Sequence, residues 1–186
     1  MSILVLWASP NLDGLTATAK DRVVAGIRAA GKEAEVIHLN SKQIQMCRAC
    51  GSSWGTCLSK GSCVIRDDFE EIYTSLRKAE SFVIITPVYF HDMAETFKAF
   101  LDRLRRCEPY HNRYLEGKRC MLVACAGGTG NGPIRCLRVL EECMAQLLVQ
   151  PLERIPVIRF NREYMLPALE SAGKQFAENY DTWKLK

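Results

Sequence analysis

Cys47, Cys50, Cys57 and Cys63 share one short stretch of chain with the spacing C-x2-C-x6-C-x5-C, and Gly51, Gly55 and Gly61 between them let the backbone fold back on itself. Thiolates gathered on one compact loop can ligate an iron–sulfur cluster or hold one tetrahedral zinc ion. A loop of free, metal-less thiols is the third reading. Zinc has no redox role, and its thiolate sites usually come as two CxxC units, which this spacing does not repeat. A [4Fe–4S] cluster is therefore the reading carried forward, followed by metal-free thiols and then zinc.

Three further segments hold groups suited to binding a small anionic ligand. The first, "ASPNLDGLTATA", offers Ser9, Asn11, Asp13, Gly14, Thr16 and Thr18 just before a helical pattern. Hydroxyls and backbone N–H groups at a helix N-terminus bind phosphate, although the same residue types are also favoured as helix caps. The glycine spacing is neither G-x-x-x-x-G-K-[ST] nor G-x-G-x-x-G. The second segment carries Pro87, Val88, Tyr89 and Phe90, whose rings either lie against a planar ligand or pack at the end of a sheet. In the third, Ala126, Gly127, Gly128 and Thr129 leave backbone N–H groups open to a ligand edge, or form a plain turn. A dinucleotide loop at "GGTGNG", with Glu153 as a ribose-binding acid, has the wrong glycine spacing and comes late in the chain.

The elements that must position these residues follow from periodicity. Apolar runs "ILVLWA", "AEVIHL", "FVIITPVY", "RCMLVACA" and "RIPVI" alternate with helical patterns over Thr16–Ala30, Asp67–Lys78, Met93–Arg106, Pro133–Leu148 and from Leu166 onward. Gly31 suits a helix C-terminus, Asp67 and Asp68 a helix start, and Pro133 a first helical position. Strict alternation predicts an α/β three-layer sandwich, with a five-stranded parallel sheet covered by helices on both faces. In strand order 2-1-3-4-5 the loops after strands one, three and four meet at one edge, where ligands of such sheets bind. A phosphate loop, an aromatic platform and a glycine-rich edge together match the shape of flavin mononucleotide (FMN).

With 186 residues, 48% hydrophobic and 25% charged, the chain suits one well-buried domain, and no linker, repeat or charge block divides it. A net charge of +4, scattered except around "KAFLDRLRR", argues against a nucleic-acid partner. No apolar run approaches the roughly 18 residues of a membrane span. The first strand lacks the basic lead-in of a signal peptide, so the expected location is cytoplasmic, where thiols stay reduced. Cys107, Cys120, Cys125, Cys136 and Cys143 read as core packing. His38, His91 and His111 read as structural, with His91 placed to touch a substrate. No nucleophile triad stands out, so a cofactor must carry the chemistry.

The segments "SPNLDGLTATA", "CVIRDDF" with its preceding cysteines, "TPVYFHDMAETFKAFLDRL" and "GKRCMLVACAGG" resemble, in order, the flavodoxin-like NADPH-dependent FMN reductase family and within it the iron–sulfur flavoproteins. The likeness ends near Asn131. It implies a single flavodoxin-like FMN-binding domain over 1–186 with a cysteine-rich loop at about 44–66. It further implies FMN phosphate held by Ser9, Asn11, Gly14, Leu15 and Thr16, with the ring placed against Pro87–Phe90 and Ala126–Thr129. The implied activity is electron transfer from NAD(P)H through FMN to a small-molecule or protein acceptor, in a homodimer or tetramer. An electron carrier fed by ferredoxin and a flavin-binding sensor with a zinc-held loop are the alternatives. Two departures stand out. The first loop has Asn11 and Leu12 where the family more often carries Arg or Lys, and Ser53 stands where a tighter C-x2-C-x2-C segment would place its third cysteine.

Overall fold

Along β1 (Ser2–Trp7) successive side chains leave the strand on opposite faces, so Ile3, Val5 and Trp7 enter one apolar core while Leu4 and Leu6 enter another. The same division runs through β3 (Ser81–Tyr89), with Val83 and Ile85 opposite Phe82 and Ile84, and through β5 (Arg119–Ala126). Strands buried on both faces need no polar alternation, which is why these runs are almost wholly apolar. With β2 (Glu33–His38) and β6 (Gln150–Ile158) at the edges, the parallel order is β2-β1-β3-β5-β6. The computed structural model describes residues 2–51, 54–108 and 112–178, so Ser53 and His111 lie outside the described residues.

Helices α1 (Leu15–Ala29) and α6 (Arg162–Glu178) cover one face. They cross so closely that a Cβ on Gly26 would stand 2.0 Å from the Glu170 carbonyl oxygen, and one on Gly173 2.5 Å from that of Val23. The other face is covered by α3 (Phe69–Lys78), α4 (Glu95–Cys107) and α5 (Pro133–Gln146). Among the described residues no helix is long and apolar enough to cross a membrane.

The five parallel strands keep the expected order 2-1-3-4-5, but the structure adds a one-turn helix at Leu39–Ser41 and two further small elements. A two-residue strand, β4 (Asp92–Met93), folds back antiparallel on the end of β3, and a short helix, α2 (Thr56–Lys60), forms inside the cysteine loop. Because β4 takes Asp92 and Met93, α4 starts at Glu95 rather than Met93. Helix α6 starts at Arg162, ahead of the expected Leu166, and contains Pro167. A proline disfavours helix at the residue before it, so the pattern places the start too late.

Candidate functional site

The β1–α1 loop is built to present donors. Helix α1 begins at Leu15 with Gly14 at its N-cap, no side chain caps it, and no acidic residue occupies its first turn. The loop's polar groups bond among themselves instead. The Ser9 hydroxyl accepts from Asn11 N–H at 3.2 Å, Asn11 Oδ1 accepts from Asp13 N–H at 3.3 Å, and Thr18 Oγ1 donates to the Gly14 carbonyl at 3.1 Å. The first N–H groups of α1 therefore lack the side-chain acceptor that a capping loop would supply, leaving the positive end of the helix for an anion. Ser9 and Thr16 are each only 5% exposed, and the Thr16 hydroxyl faces the Cys125 thiol, which burial pushes up to about 12. From β2, His38 Nε2 donates to the Ser9 carbonyl at 2.9 Å while its ring stacks on Trp7 at 4.0 Å, fixing the loop from the side.

The turn between β3 and β4 is tight. Tyr89 pairs with Asp92, and the two residues between them, Phe90 and His91, have φ of 50° and 68°. Left-handed backbone at two consecutive non-glycine residues costs roughly 1–2 kcal/mol each. It turns Phe90 outward, 99% exposed. Gly132 makes room for this turn, since its φ is 97° and a Cβ there would meet Val88 Cγ1 at 2.9 Å and His91 Nδ1 at 3.0 Å. Behind Phe90 lies a recess of about 280 Å³ lined by Val88, His91, Ala126, Gly127, Gly128, Thr129 and Asn131. A Cβ on Gly127 or Gly128 would meet nothing within 4 Å, so packing against the protein does not require glycine at either position. Pro87 lies inside β3 in register with Cys125 rather than in a loop. Tyr89 joins this edge to the first loop: burial pushes its phenol up, Glu95 adds to that, and the Ser9 hydroxyl hydrogen-bonded to it works the other way.

On the other side of the same turn, a larger recess of about 610 Å³ runs from Tyr89, Asp92 and Glu95 to Met46 and Cys47, the start of the cysteine segment. Cys47, Cys50, Cys57 and Cys63 all line one small inner pocket of about 20 Å³, together with Cys107, Arg103 and Arg106. The donor set suits a thiolate-ligated cluster, and the two guanidinium groups suit its negative charge. Among the described residues no group of three or more His, Cys, Asp or Glu is placed to hold a single metal ion. Zinc–thiolate bonds of about 2.3 Å would draw four sulfurs much closer together than a cluster requires.

One buried ion pair ties this loop down. Arg103, 1% exposed on α4, donates to Asp67 Oδ2 at 2.6 Å and Oδ1 at 2.9 Å, and to the carbonyls of Gln45 at 3.2 Å and Ile65 at 3.4 Å, one at each end of the loop. Asp67 also accepts from Gln45 N–H at 2.8 Å, and Asp68 from Gln43 N–H at 2.8 Å. Burial works to raise the Asp67 pKa, but the bonds from Arg103, Gln45 and Phe69 outweigh it and hold the carboxyl below its ordinary value. Trp54 lies under Arg106, 4.6 Å from its guanidinium carbon. Asp67 is thus more than the helix start its sequence position suggests. Arg103 is a residue that sequence reasoning missed, noted only as part of a basic run, whereas Cys107 packs in the core as expected. The signal for Arg103 was helical spacing: Phe100, Arg103, Leu104 and Cys107 share the buried face of α4.

Comparison with known proteins gives the family and the fold. The family described as NADPH-dependent FMN reductase matches residues 1–158. An iron–sulfur flavoprotein of Archaeoglobus fulgidus is 31% identical over 131 residues, which are 70% of this chain and 56% of the relative, so the chain spans little more than half that protein's length. An NAD(P)H:quinone oxidoreductase from Methanothermobacter marburgensis superimposes with a TM-score of 0.74 at 18% identity, over 95% of this chain and 96% of its own. A flavodoxin from the domain Archaea does so with a TM-score of 0.64 at 16% identity, over 97% and 99%. These two show a shared flavodoxin-like fold.

Proposed function

Because the chain belongs to the NADPH-dependent FMN reductase family, we propose that it is an FMN-dependent oxidoreductase that draws electrons from NAD(P)H and delivers them to a separate acceptor, with a [4Fe–4S] cluster in its cysteine loop. The carrying observation is the meeting, at one sheet edge, of an uncapped helix N-terminus, a recess floored by two glycines and an outward-turned aromatic. FMN, when bound, supplies reversible two-electron acceptance from a hydride donor and one-electron release. Ser9 and Asn11 and the N–H groups of Leu15 and Thr16 would hold its phosphate, with Gly14 allowing the close backbone approach. The N–H groups of Gly127 and Gly128 would bond to the ring edge, and Tyr89 and Phe90 would shield its face from water. Phosphate charge is met here by dipoles and hydroxyls, since Asn11 and Leu12 stand where the family more often has a cation.

The whole chain, 1–186, acts in this reading as one FMN-binding domain. A homodimer or tetramer is supported by where apolar surface is left. Leu12, Met46, Phe90, Ile134, Phe160 and Tyr164, each at least 66% exposed, all follow the carboxyl ends of the parallel strands. Such a concentration marks an interaction face. The relative's description as an iron–sulfur flavoprotein favours a second reading, an electron carrier reduced by a ferredoxin without pyridine-nucleotide turnover. FMN, iron and sulfide analysis of anaerobically purified protein, followed by assay with NADPH and NADH, tests both. FMN with NADPH turnover supports the first reading, FMN reduced only by ferredoxin supports the second, and protein that binds no FMN overturns both.

A further inference from the structure

Arg103 has one nitrogen to spare. Its two terminal nitrogens are committed to Asp67, Gln45 and Ile65, while Nε is buried without a partner. Among the described residues four buried side-chain polar atoms lack a partner, and only this one belongs to a charged group. A buried cationic donor left unpaired is costly, and the guanidinium stands in the wall of the pocket lined by all four loop cysteines. Cys63 lines the same pocket wall as Arg103, and its thiol interacts with the guanidinium, though less strongly than Asp67 does. The ion pair explains why Arg103 is buried but not why Nε is left unsatisfied. An anionic sulfur in the pocket would accept that proton, and hydrogen bonds to cluster sulfurs stabilise the more negative, reduced form.

We propose that Arg103, through Nε–H, donates to a sulfur of a [4Fe–4S] cluster on its Cys63 side and thereby raises the cluster's reduction potential, making Arg103 a tuning residue as well as an anchor. The inference rests on the reading that the loop holds a cluster. It does not depend on which acceptor the protein serves. The rival occupant is a water molecule, for which a pocket of about 20 Å³ has room.

The test is a spectroelectrochemical titration of full-length protein, produced or reconstituted anaerobically with iron and sulfide, comparing the native chain with Arg103→Lys. Lysine keeps the charge and can still pair with Asp67, but it has no Nε–H. The expected result is a cluster of unchanged iron and sulfide content whose reduction equilibrium is about tenfold less favourable, equivalent to 59 mV lower for a one-electron couple. Asp67→Asn keeps the Nε–H and should not lower the potential. If Arg103→Lys does not fold, Asp67→Leu with Arg103→Met removes the buried charges together, a change that proteins often tolerate, and the same fall is expected. A loaded variant with the native potential and only a lower unfolding midpoint overturns the proposal and leaves Arg103 an anchor beside a water. Native protein that binds FMN but takes up neither iron nor sulfide overturns the cluster reading and this inference together.

Discussion

The sheet edge and the cysteine loop are neighbours made in opposite ways. The edge around Gly127 is built from backbone: an uncapped helix, two glycines and a strained turn, each held by strands whose side chains are buried on both faces. The cysteine loop is built from side chains, and between Gln43 and Asp68 its attachment depends largely on the carboxylates of Asp67 and Asp68 and the buried Arg103. A site made of backbone depends on the fold as a whole and tolerates many changes in sequence. One made of side chains is decided by a few of them, and any one can disable it.

The largest effect should come from breaking the ion pair on one side. Arg103→Met alone leaves Asp67 buried and unpaired, and should cost about 3–5 kcal/mol in urea unfolding, with FMN still bound by the native fraction. An equal loss of FMN affinity would mean that the two regions are not separable. Cys47, Cys50, Cys57 and Cys63 should each, when changed to serine, remove or destabilise the cluster while leaving FMN content intact, measured by iron, sulfide and flavin analysis. The same change at Cys107 should leave the cluster in place, since Cys107 is buried in the core on α4 and not carried by the loop.

At the edge, Ser9→Ala with Thr16→Ala should weaken FMN binding by about 1–3 kcal/mol, from loss of hydroxyl bonds to a charged phosphate. Because the Thr16 hydroxyl faces Cys125, Ser9→Ala alone should carry most of it. Fluorescence titration resolves the two, and unchanged affinity would place the phosphate elsewhere. Gly128→Leu should weaken FMN about tenfold, or about 1.4 kcal/mol, without lowering the melting temperature, because a Cβ there has open space. Phe90→Gly should be the smallest change, raising apo-protein stability by about 1 kcal/mol as left-handed strain is relieved while loosening the flavin. A variant that is less stable would show that Phe90 packs rather than waits for a ligand.

Acid separates the regions as well. The folded-state pKa of Asp67 is depressed below 3.8, so its contribution is fully present above that pH and is lost as pH falls through the lower folded value. Hydrogen exchange in the cysteine loop should rise in that range before exchange in β1 and β3 does.

Periodicity alone determined the alternation of strands and helices and the two covered faces, because burial on both sides of a sheet leaves continuous apolar runs, while the order of the five parallel strands was assumed and is decided by their pairing. Spacing and residue type determined which loops to search, and the four loop cysteines do line one pocket. Local rules erred where neighbours intervened. The turn at Phe90 and His91 uses left-handed residues that no glycine or asparagine within it announces, and Gly132, which lacks a Cβ, leaves room for it. The uncapped start of α1 reads as a capping loop until its side chains are seen bonding to one another. Arg103 lies in a basic run that looks like solvated surface, yet helical spacing turns it inward, and Asp67, 36 residues away, makes its burial possible. A charge can be buried only beside its partner, and that pairing is a fact of tertiary structure.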